Sequence, residues 1–162
     1  IDYDFGRAFY KASLSADNEI PLEGDVFISV GDAHKDDVIA IARQLHEQGL
    51  TIYGTEGTVE RLEEQDIPAH LVRKVQEGSP NVIDLMRRGE LSLIINAPSG
   101  KYSRIDHMKI MRAALDYNIP YITTMQAARA ATQAIVSLKN EKITLEPLSH
   151  YHSKSLYREE CR

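Results

Sequence analysis

The chain has 162 residues, 43% of them hydrophobic, which suits one globular domain with a core of its own. A formal charge of -5 speaks against a protein that coats nucleic acid, although a few focused cations still suffice for an anion site. The single cysteine, Cys161, excludes an internal disulfide and a thiolate zinc site, and no run nears the roughly 18 apolar residues of a membrane span.

The lone cysteine makes a reducing cytoplasm the expectation, and a chain that opens on Ile1 with no signal-peptide pattern is expected to be a piece of something longer or a processed product. Residues 4–12 carry apolar side chains at helical spacing, and 13–24 read as a polar connector. A buried strand is predicted over 26–30 (Val26-Phe27-Ile28-Ser29-Val30), followed by a helix over 36–48 that Gly49 stops. Strands at 50–53, 69–75, 91–96 and 121–123 alternate with helices at 59–65, 82–88, 106–117 and 125–138. Residues 143–145 read as a short edge strand and 149–162 as a polar tail. This alternation predicts an α/β fold, a parallel sheet with helices on both faces. The segments are 1–24, a connector; 25–148, the domain proper; and 149–162, the tail.

The strand at 50–53 runs into Gly54-Thr55-Glu56-Gly57-Thr58 and then a helix. A short glycine loop feeding a helix offers free N–H groups and the positive end of a dipole, which suits a phosphate. The same residues also read as a plain strand-to-helix turn with Thr58 as N-cap. In a parallel sheet, ligands gather beyond the C-terminal ends of the strands. Those ends bring Ser29, the glycine loop, Arg73-Lys74, Asn96 and Thr123-Thr124 to one rim, and this convergence favours the anion site. Lys35 and Lys74 are its candidate cations.

Other features carry less. Asn96 closes an apolar strand and reads either as a base or ribose contact or as a cap of the next loop. Asp106 at a helix start reads as compensation of the dipole more than as a catalyst. Ser99-Gly100-Lys101 fails as a P-loop because Ile95 stands where that motif needs glycine. The histidines are scattered, so no metal site is expected, and no acid–base pair is expected at the rim.

The stretches 5–12, 26–30, 54–58, Val72-Arg73-Lys74-Val75-Gln76-Glu77-Gly78, Ile94-Ile95-Asn96-Ala97-Pro98-Ser99-Gly100-Lys101, Arg112-Ala113-Ala114-Leu115 and Pro120-Tyr121-Ile122-Thr123-Thr124 together resemble the C-terminal regulatory domain of the large subunit of carbamoyl phosphate synthetase, within the methylglyoxal-synthase-like fold group. The resemblance implies a five-stranded sheet of order 3-2-1-4-5 and an effector-binding domain over 25–148, preceded by the end of a synthetase domain. It implies a nucleotide monophosphate such as UMP or IMP, its phosphate held by Lys35, Thr55, Thr58 and Lys74 with Ser29 nearby, and its ribose and base toward Asn96 and Asp106. Tyr121 and Thr123 match positions where ornithine binds. Relatives activated by N-acetylglutamate tend to carry an aromatic residue in place of Lys74, which favours a phosphate here. Ala97-Pro98 stands where some members have two threonines.

The resemblance further implies a parent ligase that uses glutamine-derived ammonia, with ATP and Mg or Mn only in its synthetase domains, and a small glutaminase subunit as partner. No cofactor is expected in this domain, nor nucleic acid or membrane as partners. The alternative is a lyase like methylglyoxal synthase, acting on a triose phosphate. Its base motif corresponds to Gly78-Ser79-Pro80 and its histidine to about Ser103, and both groups are missing. A third reading is an oligomerisation surface.

Overall fold

A parallel strand covered by helices on both sides is apolar on both sides, and two segments meet that demand. In β1 (Asp25–Val30) only Asp25 and Ser29 are partly exposed, and β4 (Leu93–Ala97) is buried throughout. The computed structural model describes residues 1–98, 103–140 and 142–153. With β2 (Thr51–Gly54), β3 (His70–Leu71) and β5 (Tyr121–Ile122), these strands form a five-stranded sheet of order β3-β2-β1-β4-β5. All four pairings are parallel, as the alternation and the resemblance imply.

The pleat divides the core in two. Val26, Ile28, Leu93 and Ile95 face α2 (Lys35–Glu47) and α6 (Met125–Asn140), meeting Val38, Ile41, Leu45 and Ile135. Phe27 and Ile94 face the other way, onto α4 (Val82–Arg87) and α5 (Ser103–Asp116), meeting Leu85, Met86, Ile110 and Ala114. Buried Ala128, Ala131 and Ala134 let α6 lie close to the sheet. Outside α6 lies α1 (Phe5–Ser15), whose N-cap Asp4 accepts the Arg7 N–H at 2.8 Å. Among the described residues no helix is long and apolar enough to cross a membrane.

Four expectations need correction. First, α3 (Glu56–Glu63) starts at Glu56, so Thr55 holds the N-cap position in extended backbone and Thr58 lies buried in the first turn. Thr58 is therefore not the cap. Second, β3 is shorter than the predicted 69–75. Past Leu71 the Val72 N–H still reaches Gly54 O at 2.8 Å, but Arg73 then bridges to Asn81 and the chain enters a 3-10 turn, Val75–Glu77. The Glu77 carboxylate accepts the Lys74 N–H at 2.9 Å and helps set that turn.

Third, residues 143–145 form no strand, and Leu145 is 87% exposed. Fourth, the predicted tail begins as a helix, α7 (Leu148–Ser153), whose Tyr151 ring lies 5.2 Å from that of Tyr3. The rest of that tail, Cys161 included, and Ser99-Gly100-Lys101 with most of its loop lie outside the described residues.

Candidate functional site

The register of the two central strands sets the site. Ser29 pairs with Asn96, and both are in phase with Phe27 and Ile94, so their side chains emerge on the α4/α5 face at the C-terminal end of the sheet. Thr55, following β2, borders the same space. Together these line a cavity of about 1000 Å³ with an apolar floor of Phe27, Val82 and Ile110. Its outer wall is the segment after β3, with Arg73, Lys74, Gln76 and Glu77. Gln76 Nε2 donates to Asp106 Oδ1 at 3.2 Å, which joins that wall to α5.

One end of the cavity gathers backbone and hydroxyl donors with two lysines. The Glu56 and Gly57 N–H groups open α3 and have no carbonyl a turn earlier to bond. The Thr55 hydroxyl makes no capping bond, and its Oγ1 lies 3.5 Å from Thr58 Oγ1. Lys35 Nζ rests against Gly57 and pairs with Asp32 Oδ1 at 2.8 Å, which holds the Asp32 carboxyl below its usual range. Lys74 Nζ is 3.8 Å from Glu77 Oε1. Both lysines thus sit in ion pairs with solvent-exposed carboxylates three residues away, contacts weak enough for a phosphate to displace.

The other end is neutral and hydrogen-bonded. Asn96 Nδ2 donates to the Tyr121 hydroxyl at 2.9 Å, and that hydroxyl is 3.0 Å from His107 Nδ1. Burial pushes the Tyr121 phenol up to about 12, against a smaller lowering by Asn96. Pro98 lines the wall nearby and adds no donor.

Of the residues read from the sequence, Ser29, Thr55, Lys74, Asn96 and Asp106 line this one cavity. Lys35 and Thr58 stand at its margin, against Gly57 and Thr55. Tyr121 lies behind Asn96, and Thr123 is exposed past the end of β5, apart from the others. Asp106 and His107 place a carboxylate and an imidazole in the lining of the cavity. Asp32 belongs to the lining as well. His107 was missed because it was weighed only as a metal ligand. Its spacing to Ile110 and Ala114 on α5 places it on the buried stripe, a signal that could have found it. Among the described residues no three His, Cys, Asp or Glu side chains gather as a metal site.

Residues 37–123 match the family model of the MGS-like domain. The chain is 68% identical over 151 residues to the carbamoyl phosphate synthase large chain of Methanoregula boonei, covering 93% of this chain and 14% of that protein. It is 66% identical over 154 residues to that of Methanosphaerula palustris, covering 95% and 15%. The chain therefore spans about a seventh of the length of these relatives. Among solved structures, methylglyoxal synthase from Elizabethkingia anophelis superposes with a TM-score of 0.58 at 14% identity, covering 84% of this chain and 93% of that one. At that identity the likeness speaks for the fold.

Proposed function

We propose, for a chain that belongs to the MGS-like domain family, that it is the effector-binding domain of a carbamoyl phosphate synthase large subunit and takes a nucleoside monophosphate such as UMP or IMP. The observation that carries this reading is the meeting of Thr55, at the start of α3, with Lys74 and Asn96 around one cavity. The phosphate would lie on the α3 N-terminus between Lys35 and Lys74, with Thr55, Thr58 and Ser29 as hydroxyl donors. The ribose and base would lie toward Asn96 and Asp106. Ornithine would reach Thr123 at the exposed end of β5, whereas the Tyr121 hydroxyl is turned toward Asn96.

The parent subunit would make carbamoyl phosphate for pyrimidine and arginine synthesis in the cytoplasm. ATP and Mg or Mn would be held in its synthetase domains, and a small glutaminase subunit would be its partner. Regulation then follows if the effector binds two states of the parent with different affinity. Calorimetry with UMP and IMP at low salt tests the reading, and failure of both to bind at millimolar concentration overturns it.

One observation favours a second reading, a lyase on a triose phosphate: Asp106 and His107 supply a carboxylate and an imidazole at the cavity. Against it, Asp106 is engaged by Gln76 and His107 Nδ1 by Tyr121, and on the resemblance Gly78-Ser79-Pro80 stands where methylglyoxal synthase has its base motif. Formation of methylglyoxal from dihydroxyacetone phosphate would decide for the lyase.

A further inference from the structure

Three side chains from different elements form a hydrogen-bonded line at the neutral end of the cavity. Asn96, at 3% exposure, donates from Nδ2 to the Tyr121 oxygen at 2.9 Å. That oxygen lies 3.0 Å from His107 Nδ1 and 3.5 Å from the His107 carbonyl. A phenol has one hydrogen to give, and the nearer acceptor is Nδ1. Neutral His107 then carries its own proton on Nε2. The asparagine amide is fixed in the same way. Its Nδ2 is held by Tyr121, and among the described residues no donor is bonded to its Oδ1.

We propose that Tyr121 is a positioning residue: by holding Asn96 Nδ2 and His107 Nδ1, it makes the cavity offer an acceptor, Asn96 Oδ1, and a donor, His107 Nε2–H, and so selects a nucleoside monophosphate by the order of donors and acceptors on its base. The ligand class rests on the function proposed above. An unheld amide can turn over and meet either a donor or an acceptor. A held amide rejects the analogue with the polar groups reversed, because a buried carbonyl is then left without a partner. The phenol suits this work, since a phenol keeps its hydrogen at neutral pH and burial raises its pKa further. Its backbone is fixed by the pairing of Tyr121 with Ile94, and its ring lies 5.7 Å from the His107 ring.

UMP and CMP carry reversed groups on the same sugar phosphate and serve as probes. The unsubstituted chain should bind one about tenfold or more above the other. Tyr121→Phe should bring the two within about threefold while leaving the affinity for inorganic phosphate unchanged. Nitrogen NMR of His107 should show the Nε2–H tautomer in the unsubstituted chain and a tautomer mixture in Tyr121→Phe. A chain that does not discriminate, a variant that keeps the ratio, or an Nδ1–H tautomer in the unsubstituted chain overturns the proposal. Failure of UMP and CMP to bind the unsubstituted chain overturns the proposal; the function above falls with it only if IMP fails to bind as well, and the tautomer then still decides whether Tyr121 positions His107.

Discussion

Lys35 Nζ occupies the space where a side chain at Gly57 would begin: a Cβ there would lie 2.9 Å from the ammonium. Gly57 is in the first turn of α3, with no backbone clash, so alanine is tolerated at the cost of moving the lysine. Gly57→Ala should hold or raise the melting temperature, since alanine favours a helix by up to about 1 kcal/mol over glycine. UMP affinity should fall, by up to about tenfold, as Lys35 leaves the helix start. A variant that melts lower and binds as before would contradict this placement.

Lys74 stands on the opposite wall. Lys74→Ala should weaken UMP by about ten- to a hundredfold, the equivalent of roughly 1.5–3 kcal/mol for a charge-assisted contact. Uridine, which lacks the phosphate, should lose far less. Calorimetry with the two ligands checks the difference, and equal losses would mean that Lys74 does not touch the phosphate.

Stability has its own glycine. A Cβ on Gly6 would lie 2.5 Å from Gln133 O, a backbone atom of α6 that cannot step aside as a lysine tip can. Gly6→Ala should therefore push α1 off α6 and destabilise the fold by about 1–3 kcal/mol despite its better helix propensity. Urea denaturation measures this, and an unchanged midpoint would count against the packing described.

Acid should loosen the same corner. Burial raises the Asp2 carboxyl, but hydrogen bonds from Lys11 Nζ (2.7 Å), the Asp4 N–H and Arg7 Nε (3.0 Å) outweigh it and hold the group down to about 2. A depressed carboxyl contributes stability above its unfolded pKa and loses it as pH falls through the folded one, here from about 4 to about 2. The contribution at neutral pH is about 2 kcal/mol. Asp2→Asn should lower stability at pH 7 and flatten the acid slope of the melting temperature.

Central strands were legible because both faces of Val26-Phe27-Ile28 and Leu93-Ile94-Ile95 are apolar, a pattern that survives without any tertiary knowledge. The edge strand was misjudged because His70 and Leu71 are both exposed and carry no burial signature, so apolar residues beyond them were read as more strand. At the site, the loops could be placed on one rim by topology alone. The line from Asn96 through Tyr121 to His107 could not, because β5 pairing and α5 packing bring its members together from three separate segments. Likewise, nothing local to Gly57 says that Lys35 will lie against it.

The outer wall hangs from an edge strand of only two residues, β3, continued by the Val72 bond to Gly54 and the Arg73–Asn81 bridge. So few ties mean that amide hydrogens of 72–77 should trade with deuterium long before those of β1. A ligand spanning Lys74 and Thr55 would stitch this flap to α3 and slow the trade. Occupancy could then be followed by mass alone, with the protein's own hem as the reporter.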